Sequence, residues 1–229
     1  RHPGHPRHPG HPPAPGCHPV LPADARVALT LRLLGGLTTV EIARAFLQPE
    51  PTIAQRIVRA KRTLAQKQVP YEVPRADAMP ERLASVLEAI YLVFNEGYAA
   101  SAGDDWMRPA LCEEALRLAR ILAHRQPVLG LLALMELQAS RAAARTGAPC
   151  ASVLLDQQNR ARWDWLQIER GQQVLARALA AGGADDPYVL QARIAACHAA
   201  ARRAEATDWP RIASLYTRLL RVMPSPVVA

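Results

Sequence analysis

Apolar residues recur at intervals of three and four positions along most of this 229-residue sequence. That spacing places them on one face of an α-helix, and no segment shows the strict alternation of a half-buried strand. Glycine and proline punctuate the pattern and mark helix ends. The sequence therefore predicts an all-α fold. Helices are expected near residues 23–34, in a short segment that follows, and near 51–66, 80–95, 106–124, 127–145, 161–181, 187–206 and 209–222.

Changes in composition divide the chain into four segments. Residues 1–21 form a His/Pro-rich leader that is expected to be disordered. Residues 22–68 hold a first helical domain, residues 69–80 form a linker with three prolines, and residues 81–229 hold a second helical domain. The last helix lacks a partner helix before the chain stops, so the sequence predicts a domain that is truncated at its C-terminus.

The leader carries histidines at every third position, which in a polyproline II helix would lie along one edge. These are His2, His5, His8 and His11. A metal-binding tail is therefore an alternative to a simple unstructured leader.

Residues 37–64 show the features of a helix-turn-helix. Thr38 and Glu41 have the spacing of a capping box, in which each side chain accepts a hydrogen bond from the other residue's backbone. A short turn follows, and Pro51 suits the first position of the next helix, where a missing N–H costs nothing. In that helix an apolar stripe repeats at spacings of four, three and four, at Ile53, Ile57, Ala60 and Leu64.

Polar and basic side chains fall together on the opposite face of this helix, as expected of a recognition helix that lies in the major groove of DNA. Arginine pairs with guanine, glutamine with adenine, and threonine with phosphate or a thymine methyl. The candidate DNA-binding residues are Thr52, Gln55, Arg56, Arg59 and Thr63, with Lys61, Arg62, Thr39 and Arg44 beside them. An ordinary solvated helix face is the alternative interpretation.

Basic charge is concentrated in the same part of the chain. Between Pro22 and Gln68, eight Lys and Arg residues meet three acidic ones, a net charge of +5. From Val69 to the end, eighteen basic residues meet seventeen acidic ones, a net charge of +1. A local excess of this kind is typical of a nucleic-acid interface.

Several long segments resemble one family of proteins. Residues 29–64 resemble region 4 of extracytoplasmic-function sigma factors. Four segments resemble the sigma-factor group that carries a C-terminal tetratricopeptide-like extension: CHPVLPADARVALTLRLLGGLTTVEIARAFL (17–47), IYLVFNEGYAAS (90–101), LGLLALMELQASRAAAR (129–145) and LLDQQNRARWD (154–164). The resemblance implies that the first domain binds the −35 promoter element and the β-flap of core RNA polymerase, in the cytoplasm. Region 2 of that family has no counterpart here, so the chain is expected to be a sigma-factor fragment.

The second domain shows paired amphipathic helices, as in solenoid arrays. Trp209, Ile212, Ala213 and Tyr216 fit the first helix of a tetratricopeptide repeat. Two polar clusters lie between helices, at residues 95–98 and 156–164. They are interpreted as helix caps and hydrogen-bond networks, with a surface for a regulatory protein as the alternative.

No motif for catalysis, metal or cofactor binding is present. The four cysteines lack metal-ligand spacing, and no apolar run is long enough to span a membrane. The sequence thus predicts a protein that is not an enzyme. Two other functions stay open: a helical interaction scaffold whose helix-turn-helix no longer binds DNA, and a one-component regulator that binds DNA without polymerase.

Overall fold

The computed structural model describes residues 20–33, 37–46, 48–68, 79–98, 109–145 and 153–224. Within these ranges the chain forms α-helices and two short 3₁₀ turns and contains no strand, which confirms the predicted all-α fold. Nearly all of the His/Pro-rich leader and most of the predicted linker lie outside the described residues.

The helices are named in chain order. They are α1 (Ala23–Leu33), α2 (Thr39–Ala45), α3 (Glu50–Gln66), α4 (Met79–Tyr98), α5 (Pro109–Leu122), α6 (Gln126–Ala139), α7 (Ala142–Arg145), α8 (Trp165–Ala180), α9 (Pro187–Ala200) and α10 (Trp209–Val222). The 3₁₀ turns are Arg160–Arg162 and Ala204–Ala206. Contacts divide the chain into two compact units, Arg1–Ala89 and Ile90–Ala229, with the division inside α4.

In the first unit, helices α1, α2 and α3 pack against one another. Each contributes apolar side chains that are fully removed from solvent, among them Leu29 of α1, Ile42 of α2 and Ile53 of α3. An ion pair joins α1 to α4, because Arg26 Nη1 lies 2.6 Å from Glu88 Oε2. Only 12% of the Arg26 side chain is exposed, and this arginine therefore serves the packing of the unit.

Helix α6 is the centre of the second unit. It packs against α5, α8 and α9, and every residue from Val128 to Leu137 is buried. A helix that is apolar on all sides has to be surrounded in this way. Helix α9 in turn packs against α8 and α10, so each helix of the series contacts the next.

A single buried carboxylate ties three of these helices together. Glu136 of α6 is 2% exposed, and a buried charge is tolerated only when it is paired and hydrogen-bonded. Its Oε1 accepts bonds from Nε and Nη2 of Arg120 on α5, at 2.9 and 2.7 Å. Its Oε2 accepts a bond from Gln167 Nε2 on α8, at 3.0 Å. The carboxylate is fully partnered.

Two helices end earlier than the apolar periodicity predicts. The predicted helix 127–145 is interrupted at Ser140, whose Oγ donates to Leu137 O while its carbonyl accepts from Asp164 N. Such local bonds compete with the helical pattern. The predicted helix 187–206 ends at Ala200, because Arg160 Nη1 donates to the carbonyls of His198 and Ala201.

The second polar cluster, 156–164, therefore supplies helix caps. Asn159 Oδ1 accepts from Ala161 N, and Asp164 Oδ1 accepts from Gln167 N at the start of α8. Arg160 caps the far end of α9 with its positive charge, where the helix dipole is negative. These contacts agree with the structural interpretation of this cluster.

Substitution of Gly130 by alanine is expected to destabilise the second unit. A Cβ at this position would lie 2.8 Å from Val189 Cγ2 and 3.1 Å from the backbone nitrogen of the same residue. Overpacking of this kind costs about 1–3 kcal/mol, more than the roughly 1 kcal/mol by which alanine improves helix propensity. Urea unfolding of Gly130→Ala should show this loss.

The same measurement in a Val189→Ala background is the control. Removing Cγ2 of Val189 relieves the shortest contact of the new Cβ, at 2.8 Å, but leaves those with Asp186 Oδ1 at 3.0 Å and Val189 N at 3.1 Å, so Gly130→Ala should cost less there than in the wild-type chain. An equal cost in both backgrounds would contradict a clash with Val189 Cγ2.

Candidate nucleic-acid interface

The turn into α2 is built by the predicted capping box. Glu41 N donates to Thr38 Oγ1 at 3.2 Å, and Thr38 N donates to Glu41 Oε2 at 2.7 Å. The backbone hydrogen bond from Thr38 is the main cause that lowers the pKa of the Glu41 carboxyl below its ordinary value. Both reciprocal bonds exist, and they fix the start of α2.

Helix α3 begins one residue earlier than predicted, at Glu50, so that Pro51 occupies its second position. Its apolar stripe is buried as predicted: Ile53, Ile57, Ala60 and Leu64 are each between 0 and 6% exposed. The stripe packs against both α1 and α2. This packing determines which side chains of α3 face solvent.

The outermost face of α3 is a row of four exposed side chains spaced three, one and three residues apart. These are Gln55, Val58, Arg59 and Arg62. Val58 was missed by the sequence analysis, although 62% of this valine is exposed. The helical spacing that it shares with Gln55 and Arg62 could have revealed it.

Three other predicted contact residues lie on the flank of α3 that adjoins α1. Thr52, Arg56 and Thr63 line a groove of about 450 Å³, together with Gln55 and Arg59. The opposite wall is the start of α1 and the residues before it, Leu21, Pro22, Asp24 and Ala25. The hydroxyl of Thr63 donates to Arg59 O at 3.0 Å. The structure thus brings five predicted residues to one groove.

Arg56 carries an ion pair that the sequence analysis did not predict. Its Nε lies 3.1 Å from Asp24 Oδ2 of α1, with 24% of the arginine side chain and 57% of the aspartate exposed. The other carboxylate oxygen, Oδ1, accepts from Ala25 N at 2.8 Å. Nothing in the local sequence links two residues 32 positions apart.

The remaining predicted contact residues are distributed around this groove and row. Lys61, Arg62 and Arg44 are exposed, and Thr39 is half-buried at the start of α2. Arg32 Nη1 donates to Leu37 O at 2.9 Å. Within the part of the chain that the structure describes, neither Arg59 nor Arg62 forms an ion pair with a carboxylate.

The described residues hold few other features that could support catalysis or membrane insertion. They contain no cluster of three or more His, Cys, Asp or Glu side chains that could hold a metal ion. Burial raises the pKa of the Cys112 thiol to about 12, which keeps it protonated and unreactive. Among the same residues, no helix is both long and apolar enough to cross a bilayer.

Comparison with known proteins agrees with the geometry of the first unit. Residues 16–64, which contain α1, α2 and most of α3, match the family model described as sigma-70, region 4. This part of the chain is sigma-factor-like. Sigma-70 region 4 is a domain of transcription factors without enzymatic activity.

The rest of the chain has matches that name no function. Residues 82–179 match a family of unknown function, DUF6596. An uncharacterized protein of Rhizobium meliloti (strain 1021) is 46% identical over 215 residues, which cover 92% of this chain and 51% of that relative. The chain thus spans about half the length of the curated relative that it matches. No solved structure gives a significant match.

The capping box of the region 4 segment should make stability depend on pH. Because folding lowers the pKa of Glu41, its carboxylate contributes stability above the ordinary value of 4.5, and this contribution is lost as the pH falls through the lowered pKa. Glu41→Gln should therefore lower the urea midpoint of the first unit at pH 7, and this effect should shrink as the pH falls below 4.5 and through the lowered pKa.

Glu50→Gln removes an equally exposed carboxylate from α3 and is the matched control for charge. At pH 7, Glu50→Gln should lower the urea midpoint by less than Glu41→Gln does. Equal effects of the two variants at every pH would contradict the stabilisation of the charged Glu41 carboxylate in the folded chain.

Proposed function

We propose that this chain is part of an extracytoplasmic-function sigma factor whose helix α3 reads the −35 element of a promoter. The observation that carries the proposal is the exposure of Gln55, Arg59 and Arg62 on α3, which form no ion pair within the described residues, in a segment that matches sigma-70 region 4. Arginine and glutamine on the outer face of a helix can form bidentate hydrogen bonds with base edges. Exposed Lys61 and Arg44 would contact phosphates beside them.

The proposal includes core RNA polymerase, through its β-flap, as the second partner of the region 4 segment. Its support is the family match, together with the small size of the first helical unit, which offers few phosphate contacts of its own. Sequence-independent binding to DNA rises with the number of phosphates neutralised. A unit of this size is therefore expected to bind promoters tightly only when polymerase holds it in place.

The second unit is proposed to be a tetratricopeptide-like extension that contacts a regulatory protein or the polymerase. Successive helices pack on one another, and α6 also packs against α9, as expected of a helical-repeat array. On α10, Ile212 is buried as the repeat pattern requires, whereas 58% of Trp209 is exposed.

Loss of Arg59 or Arg62 should weaken DNA binding. A duplex selected with the full chain from a randomised library serves as the probe, and fluorescence anisotropy measures affinity at several salt concentrations. A base contact should cost about 1–3 kcal/mol of discrimination when the arginine becomes alanine, and a phosphate contact should reduce the salt slope by about one. Arg177→Ala, which removes an exposed arginine from α8, is the matched control and should bind like the wild type.

Capture of purified core RNA polymerase by the full chain distinguishes the three candidate functions. Polymerase capture together with selective DNA binding supports the sigma-factor proposal. Capture without any DNA binding favours an interaction scaffold, and tight selective binding without polymerase favours a one-component regulator. Wild-type affinity in both Arg59→Ala and Arg62→Ala would overturn the assignment of α3 as the reading helix.

A further inference from the structure

The ion pair between Asp24 and Arg56 is unusual for a surface that binds DNA. The segment from Pro22 to Gln68 carries a net charge of +5 and only three acidic residues, and one of these acids lines the groove beside α3. A carboxylate at such a place repels phosphates and lowers the affinity for DNA of any sequence. Asp24 also lies in the first turn of α1, where a carboxylate interacts favourably with the helix dipole.

The ion pair itself is expected to add little to the stability of the fold. Asp24 is 57% exposed and the Arg56 side chain 24% exposed, and ion pairs that reach solvent contribute little to stability. The core of the first unit is formed by apolar side chains of α1, α2 and α3.

The geometry of the pair suits a different task. Asp24 Oδ1 accepts a hydrogen bond from Ala25 N at 2.8 Å, and Oδ2 lies 3.1 Å from Arg56 Nε in an ion pair. A guanidinium carries five N–H donors in a rigid plane. The ion pair is formed at Nε, and within the described residues the terminal nitrogens of Arg56 donate no hydrogen bond.

We propose that Asp24 is a positioning residue for DNA recognition: its carboxylate holds Arg56 through Nε so that Nη1 and Nη2 donate to N7 and O6 of a guanine. This inference rests on the proposed function of α3. An arginine that is oriented before binding loses less conformational freedom when it meets a base. It also discriminates better, because a freely rotating guanidinium can settle on any nearby phosphate instead.

The role of Asp24 predicts opposite effects on two duplexes. In Asp24→Asn, discrimination in favour of the guanine read by Arg56 should fall about tenfold, the loss expected for one bidentate contact. Affinity for a random-sequence duplex should rise, by about threefold, because one negative charge is removed. A residue needed only for folding would lower both affinities together.

The experiment uses the full chain and the selected duplex. Each guanine is replaced in turn by 7-deazaguanine, which lacks the N7 acceptor, and Arg56→Ala identifies the guanine whose replacement no longer matters. Wild-type affinity should drop about tenfold on replacement of that guanine, and Asp24→Asn should show a much smaller drop. Far-UV circular dichroism verifies that the variant is folded.

Glu50→Gln is the matched control. Glu50 is also exposed and begins α3, but it makes no ion pair with Arg56. Its replacement should raise affinity for the random duplex as Asp24→Asn does, and it should leave the response to 7-deazaguanine at the wild-type level.

Each outcome decides the inference. Wild-type guanine discrimination in Asp24→Asn would overturn it and leave the proposed function intact. An equal loss of affinity for both duplexes in that variant would assign Asp24 to folding and would also overturn it. If the wild-type chain shows no selective DNA binding, with or without polymerase, the proposed function and this inference fail together.

Discussion

The rotation of α3 about its own axis is the constraint on which the candidate interface depends. Ile53, Ile57 and Leu64 are buried against α1 and α2, and successive residues of a helix turn by about 100°. Once these side chains are buried, the direction of every other side chain on α3 is set. A turn by one residue would place a basic side chain in the apolar core, where an unpaired charge is very costly. The packing that buries the apolar stripe therefore also keeps Arg59 exposed.

The parts of this arrangement that depend on local sequence could be predicted. The capping box joins residues three positions apart, and the buried stripe of α3 follows from helical spacing alone. Helix ends that depend on distant residues could not be predicted. The end of α9 is set by Arg160, which lies 38 residues before His198 in the chain. The predicted helix extended past Ala200 because the apolar periodicity continues there and no nearby residue indicates that the helix ends.

The candidate site shows the same division. Residue type selected Arg56, Arg59 and Gln55 as candidate contacts, and the structure places them along one groove. It missed Val58, an apolar residue on an exposed face, and it missed Asp24, which meets Arg56 only after α1 and α3 have packed together. Sequence reasoning finds residues that bind by their own chemistry. It does not find a contact such as the one between Asp24 and Arg56, whose residues are distant in the chain.

Net charge alone would be a weak guide to the interface, because the second unit also carries many arginines. Several of those are satisfied within the protein: Arg120 by the buried Glu136, Arg218 by Asp185, and Arg160 by backbone carbonyls. A guanidinium that is already paired gains little from a phosphate, since it must give up one partner for another. On α3, by contrast, Arg59 is exposed on a helix whose orientation the core has fixed. Binding to DNA is favoured by cationic side chains without ion-pair partners on a helix face of fixed orientation, and a positive net charge alone is not enough.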